Sequence, residues 1–314
     1  MEPVMYVKLL FVPLAVLALT GSTNAPETIE TQGADRKQIA PQRHITPQDW
    51  ASTCEDWDDW EKPAPPFMIT PDVWYVGTCG ITVLLVHTDD GQVLLDTGTN
   101  EGARLAYENI VRLGANPNRV GLILYSHEHF DHVGGMSLLQ SVTGAPVLAA
   151  PRAAQVLRTG VPDPSDPQHG MHGNMRPAPH VIEIDTAKTV TYGGIEFQPI
   201  ATPGHTPGAL SWHWQICHMR QCKDIVYADS LSPVSSEEYR FSDHPEYLAE
   251  YRDGLQRLRE VECDILLTPH PSASKMLERA TAGKFEGGMN CIEYADAVER
   301  RLDARLEREA SATE

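Results

Sequence analysis

The chain has 314 residues, 41% of them hydrophobic, enough for one large or two small domains with a sizeable core. Asp and Glu number 43 against 25 Lys and Arg, a formal charge of −18. Phosphate backbones are held by clustered Lys and Arg, so this balance argues against a nucleic-acid partner and against nuclease activity.

In chain order, Leu9 to Leu19 form an uninterrupted apolar stretch after Lys8, followed by polar Thr20 to Asn24 and a Thr23-x-Ala25 small-residue pattern. The stretch is shorter than the about 20 residues of a membrane span and reads as a secretory signal cleaved near Ala25. Glu2 offsets Lys8 in a weak positive region, which also fits an uncleaved anchor; no cysteine near Ala25 suggests a lipid anchor. The expected organisation is a signal peptide over 1–25, a polar, proline-rich arm over 26–66 packed across the body, and a main domain over 67–314. No membrane partner is expected once the signal is removed.

Val73 to Val76, Ile81 to His87 and Val93 to Asp96 read as strands, the last two joined as a hairpin at Asp90-Gly91. Asn100 is a candidate cap for a helix over Glu101 to Leu113. Ala103, Ala106, Ile110 and Leu113 recur there at helical spacing, and Gly114 is a stop. Val120 to Tyr125 is a short buried strand, and Val133-Gly134-Gly135-Met136 turns into a further helix. A hairpin is expected at Gly193-Gly194. Two more strands, Ala209 to Trp214 and Asp224 to Tyr227, precede a buried strand over Asp264 to Leu267 and a terminal acidic-basic helix over Cys291 to Arg308. Alternating strands and helices predict an α/β sandwich.

Six cysteines agree with export, since an even count in an oxidising compartment means disulfides, although six allow 15 pairings. Cys217 and Cys222 bound a short polar segment and would staple a hairpin. The favoured remaining pairs are Cys54 with Cys79, tying the arm to the first strands, and Cys263 with Cys291, tying the terminal helix to the last strand. A metal site at Cys217, His218 and Cys222 competes, but Cys-x-x-Cys is the more usual spacing.

The most informative run is Ser126-His127-Glu128-His129-Phe130-Asp131-His132, which sets three imidazoles and two carboxylates at a strand end. Imidazole nitrogen and carboxylate oxygen suit Zn2+, and a cysteine-free set is typical of an open, catalytic site. His127 and His129, two apart, face one side of extended backbone, while the turn lets Asp131 and His132 face a second point. His205, in the loop Thr202-Pro203-Gly204-His205-Thr206-Pro207-Gly208, and His270, after Leu266-Leu267-Thr268-Pro269, add single imidazoles at strand ends. Five histidines and one aspartate suffice for two three-ligand centres. Asp96, closing its strand, is a candidate to accept a proton from a ligand imidazole. Gln168, His169 and His172 lie in a Pro/Gly-rich loop over Asp163 to Gly173, for which a surface position is the simpler expectation.

The His-x-His-x-Asp-His run with later single histidines resembles the metallo-β-lactamase superfamily. Ser126 to Gly135, Thr202 to Gly208, Tyr227-Ala228-Asp229-Ser230-Leu231-Ser232-Pro233 and Leu266 to Ser272 resemble class B β-lactamases of subclass 3. The resemblance implies a four-layer αβ/βα sandwich and two Zn2+ ions. His127, His129 and His205 would hold the first, and Asp131, His132 and His270 the second, with Asp131 also orienting the nucleophile. Ser230 and Ser232 look like the serines that bind a zinc-bound water and the substrate carboxylate, with Gln168 a further candidate contact. The implied activity is hydrolysis of penicillins, cephalosporins and carbapenems by a monomeric periplasmic enzyme, conferring antibiotic resistance. Two alternatives stay open. Glyoxalase II-like thioester or lactone hydrolases carry an aspartate bridging both metals near Asp229, so whether Asp229 or Ser230 faces the metals matters; a non-catalytic periplasmic zinc-binding protein would instead saturate its coordination.

Overall fold

The computed structural model describes residues 45–219 and 221–311. The signal reading over 1–25 and the arm over 26–44 lie outside the described residues.

The described chain opens with α1 (Pro47–Ala51), capped by Thr46, whose hydroxyl accepts from Asp49 N. Its buried Trp50 packs edge-on against Phe67 and Tyr75, which seats residues 45–66 on the first strands. Strands β1 (Phe67–Met68), β2 (Val73–Tyr75), β3 (Leu84–His87) and β4 (Gln92–Leu95) follow as an antiparallel meander. Helix α2 (Asn100–Arg112) leads to β5 (Val120–Leu124), the short α3 (Phe130–Val133), α4 (Met136–Thr143), β6 (Val147–Ala149), α5 (Pro151–Thr159) and β7 (Val181–Glu183). β4 to β7 pair in parallel, completing a seven-stranded mixed sheet in sequence order.

The second half builds a five-stranded sheet ordered β12-β11-β10-β9-β8 from β8 (Val190–Tyr192), β9 (Ile195–Ala201), β10 (Leu210–His218), β11 (Gln221–Tyr227) and β12 (Ile265–Leu267). Helix α6 (Pro245–Arg259) crosses between β11 and β12, and α7 (Met276–Ala282) and α8 (Cys291–Ser311) close the chain. The period of two in strands sorts the core. Ile225, Tyr227, Ile265 and Leu267 join the main cluster shared by the two sheets. Val226 and Leu266 face a second cluster with Tyr251, Leu255 and Leu258 of α6 and Tyr294, Val298 and Leu302 of α8. The result is the expected four-layer αβ/βα sandwich.

Two details differ from the sequence reading. Thr99, not Asn100, caps α2: Thr99 Oγ1 accepts from Gly102 N at 2.9 Å while donating to Glu61 Oε1 at 2.7 Å, so Asn100 becomes the first helical residue. The β10–β11 ladder also runs further than expected, with Cys217 facing Cys222 and His218 facing Gln221 within it. Disulfides join Cys54 to Cys79, Cys217 to Cys222 and Cys263 to Cys291. A metal at Cys217, His218 and Cys222 is thereby excluded, since sulfurs bonded to each other are not thiolate ligands.

Candidate metal centre

Five strands end at one edge of the sandwich, and each delivers part of the site. β5 runs into Ser126 to His132, β4 into Asp96 and Thr97, β9 into His205, β11 into Asp229 to Ser232, and β12 into His270. Irregular backbone beyond buried strands can turn side chains inward from several directions at once.

His127, His129 and His205 bring one ligand atom each within 4.8 Å of one another, as do His127, Asp131 and His132. Beside them His132 Nε2, His270 Nε2 and Asp131 Oδ2 lie 3.0 to 3.4 Å apart. Each imidazole has a polar group near its far nitrogen, though not all are hydrogen-bonded. His205 Nδ1 donates to the Ser232 carbonyl at 2.9 Å, so Nδ1 carries the proton and Nε2 is left for a metal. His129 Nε2 donates to Asp166 Oδ2 at 2.9 Å, leaving Nδ1. His270 Nδ1 faces the Gly80 carbonyl at 3.4 Å. His127 Nδ1 lies 2.8 Å from Asp229 Oδ1, and His132 Nδ1 lies 3.3 Å from Asp96 Oδ2 without hydrogen-bond alignment. Such outer partners fix ring orientation and tautomer for a metal. His127 Nε2 is buried with no hydrogen-bond partner, which is costly unless a cation takes its lone pair. The donor set fits a metal ion.

The electrostatics agree. Burial pushes His205 down to about 3 and His270 down to about 4, and holds His127 well below the ordinary range, so these rings present neutral nitrogen at neutral pH. Burial opposes ionisation of both Asp131 and His132, but their mutual attraction wins, holding Asp131 below the carboxylate range and raising His132 to about 10.

Asp96 is the hub behind the floor. Its Oδ1 accepts from Ser126 N and its Oδ2 from Ser126 Oγ and Tyr227 OH, each at 2.7 Å. It adopts a left-handed backbone, φ 60°, a cost of order 1–3 kcal/mol that the surrounding contacts impose. Glu128, within the histidine run, points the other way: its buried carboxylate accepts from Thr206 Oγ1 at 2.7 Å and Gly208 N at 2.8 Å, joining the two histidine loops. A Cβ on Gly208 would lie 2.5 Å from Ala153 N, so only glycine fits this approach.

The cavity above the ligands has a volume of about 290 Å³ and is lined by Ser230, Ser232 and Gln168 with Trp57, Trp60 and Arg301. Ser230 Oγ is buried and unpartnered, while Ser232 Oγ lies 3.2 Å from His205 Nδ1. Asp229 is fully buried behind His127 and accepts from Leu231 N, so Ser230 and not Asp229 lines the cavity. The loop Asp163 to Gly173 is not a plain surface loop. Asp166 and Gln168 are buried against His129 and His205, and His172 reaches the cavity, while His169 is exposed. Sequence reasoning missed Asp166, Arg301, Trp57 and Trp60. The one available signal was that three of the six tryptophans, Trp50, Trp57 and Trp60, fall in an otherwise polar arm.

Comparison with known proteins accords with this geometry. Residues 76–270 match the model of the metallo-beta-lactamase superfamily. The fold superposes on MIM-2 metallo-β-lactamase with a TM-score of 0.79 at 47% identity, covering 84% of this chain and 98% of that one. MEM-A1, a subclass B3 metallo-β-lactamase isolated from a soil metagenome library, superposes with a TM-score of 0.77 at 34% identity, covering 81% and 100%. Among curated sequences, hydroxyacylglutathione hydrolase of Gloeobacter violaceus is 28% identical over 160 residues; the match spans 51% of this chain and about half of the relative (51%). The chain therefore belongs to the metallo-β-lactamase superfamily of metal-dependent hydrolases, with subclass B3 enzymes among its structural neighbours.

Proposed function

We propose that the protein is a di-zinc β-lactamase that opens the amide of penicillins, cephalosporins and carbapenems. The observation that carries this is the pair of adjacent triads, with His129 and His205 hydrogen-bonded on their far nitrogens, on a chain that resembles B3 β-lactamases over nearly their whole length. His127, His129 and His205 would hold one zinc, and Asp131, His132 and His270 the other. Zinc bound there supplies Lewis acidity, which makes water a nucleophile at neutral pH and polarises a carbonyl.

The chain's own residues position the reaction. Asp131 is the single carboxylate among the six proposed ligands; from there it would orient the attacking water. Ser230, with its hydroxyl free, and Ser232 would donate to the substrate, and Gln168 would steady the acyl side from beside His205. Trp57 and Trp60 flank His270, with ring centroids 6.2 and 6.0 Å away, and would exclude water from the bound substrate. Residues 1–25 would direct export to the periplasm and leave a mature chain of arm 26–66 and catalytic domain 67–314, in keeping with three disulfides among the described residues. No helix among the described residues is long and apolar enough to cross a membrane. In the periplasm such an enzyme would confer β-lactam resistance as a monomer.

Hydroxyacylglutathione hydrolases among the relatives favour a second reading, thioester hydrolysis. The burial of Asp229 behind His127 weighs against it, because a bridging aspartate has to face the cavity. The test is a panel of a penicillin, a cephalosporin, a carbapenem and S-lactoylglutathione, with and without chelator. Chelator-sensitive turnover of the β-lactams is expected. Cleavage of the thioester alone would overturn the assignment.

A further inference from the structure

Arg301 is the single Lys or Arg among the residues that line the cavity. It stands on α8 seven residues after Tyr294, two helical turns along the same face. Tyr294 OH donates to the carbonyls of Asp229 at 2.9 Å and Ser230 at 2.6 Å, and Tyr251 OH donates to the Leu231 carbonyl. The Arg301 charge acts on both hydroxyls, opposing the burial that raises them. Its guanidinium is thus held beside the turn that presents Ser230 and Ser232.

Three arginines of α6 and α8 are held in ion pairs. Arg252 pairs with Glu299 and Asp303, Arg259 with Asp296 and Glu299, and Arg305 with Glu309. Arg301, like Arg300 and Arg308 of the same helix, has no hydrogen bond or ion pair among the described residues, and of these three it alone lines the cavity. On the far side of the two tryptophans lie Asp58, paired with Lys62, and Asp59 and Glu61, on a chain of charge −18. Within the cavity lining Arg301 is therefore the one fixed cationic side chain that can attract an anionic substrate to a chain of net negative charge.

We propose that Arg301 is a substrate-anchoring residue that takes the carboxylate of the substrate at the rim, beside Ser230. This rests on the β-lactam reading, in which the substrate carries a carboxylate next to the scissile ring. The planar guanidinium can take a carboxylate through two parallel N–H donors, which fixes the orientation of the ring as well as its presence.

The test compares a penicillin with its methyl ester on the metal-loaded full chain and on Arg301→Gln and Arg301→Lys. Arg301→Gln should raise KM for the acid about tenfold, the weight of one charge-assisted hydrogen bond, with kcat within about twofold and the ester unaffected. Arg301→Lys should recover part of the loss. Equal effects on acid and ester, or none on either, would overturn the proposal. If the wild type turned over no β-lactam, the parent reading would fall. Arg301 would then be judged by binding: tryptophan quenching by an N-acyl amino acid and by its amide should show a carboxylate preference in the wild type that Arg301→Gln lacks. No such preference would overturn it independently.

Discussion

The floor of the cavity and its rim are built on opposite terms. On the floor, His127, His132 and Asp229 are sealed from solvent, and His129 and His205 are hydrogen-bonded to outer partners that fix their direction. At the rim, Trp57 is 72% exposed and Arg301 has no hydrogen bond or ion pair among the described residues. Over-determined side chains can hold a charged, strained constellation, whereas under-determined ones can adapt to what arrives. The floor is therefore assigned to chemistry and the rim to choice of substrate.

Four substitutions separate these roles, and the first strikes the floor hardest. His129→Ala removes a proposed ligand, and metal content and turnover should fall together by more than about a hundredfold, the upper cost of losing only an outer partner. Metal analysis beside a hydrolysis assay reads both, and undiminished hydrolysis would refute the ligand assignment. Asp96→Ala strands the buried donors Ser126 N, Ser126 Oγ and Tyr227 OH, and should cost about 3–5 kcal/mol in urea unfolding. A loss under about 1 kcal/mol would mean that the hub is not holding the floor. Asp166→Ala frees His129 Nε2 and should weaken metal binding about 10- to 100-fold, measured by competition with a chromogenic chelator, with little change in fold stability. The smallest effect belongs to the rim. Trp60→Ala should raise KM about three- to tenfold, by different factors for different β-lactams, and leave metal affinity unchanged. If it lowered metal content instead, the division between floor and rim would fail.

How much of this was legible in the sequence follows the same division. Three histidines and Asp131 sit within one short run, and His205 and His270 sit in Pro/Gly-framed turns, so local spacing alone marks the proposed ligands. Asp96 was visible because strand ends at one sheet edge converge. Asp166 was not, since it reaches His129 across 37 residues from a loop without periodic pattern. Arg301 was hidden for another reason: on a helix rich in charges, nothing local distinguishes the guanidinium that lines the cavity from Arg300, Arg305 and Arg308 around it. The capping shift from Asn100 to Thr99 is of that kind too, settled by a contact with Glu61 far away in the chain.

The bond between Cys54 and Cys79 has one more implication. It fastens the stretch bearing both entrance tryptophans next to Gly80, whose carbonyl faces His270. Cutting that tether deletes no ligand but unmoors the wall above it. A polypeptide made in a reducing cytosol and the same polypeptide matured in an oxidising space would then share one proposed hydrolytic engine behind two different doorways, so the thiol chemistry of the surroundings would set which molecules can enter.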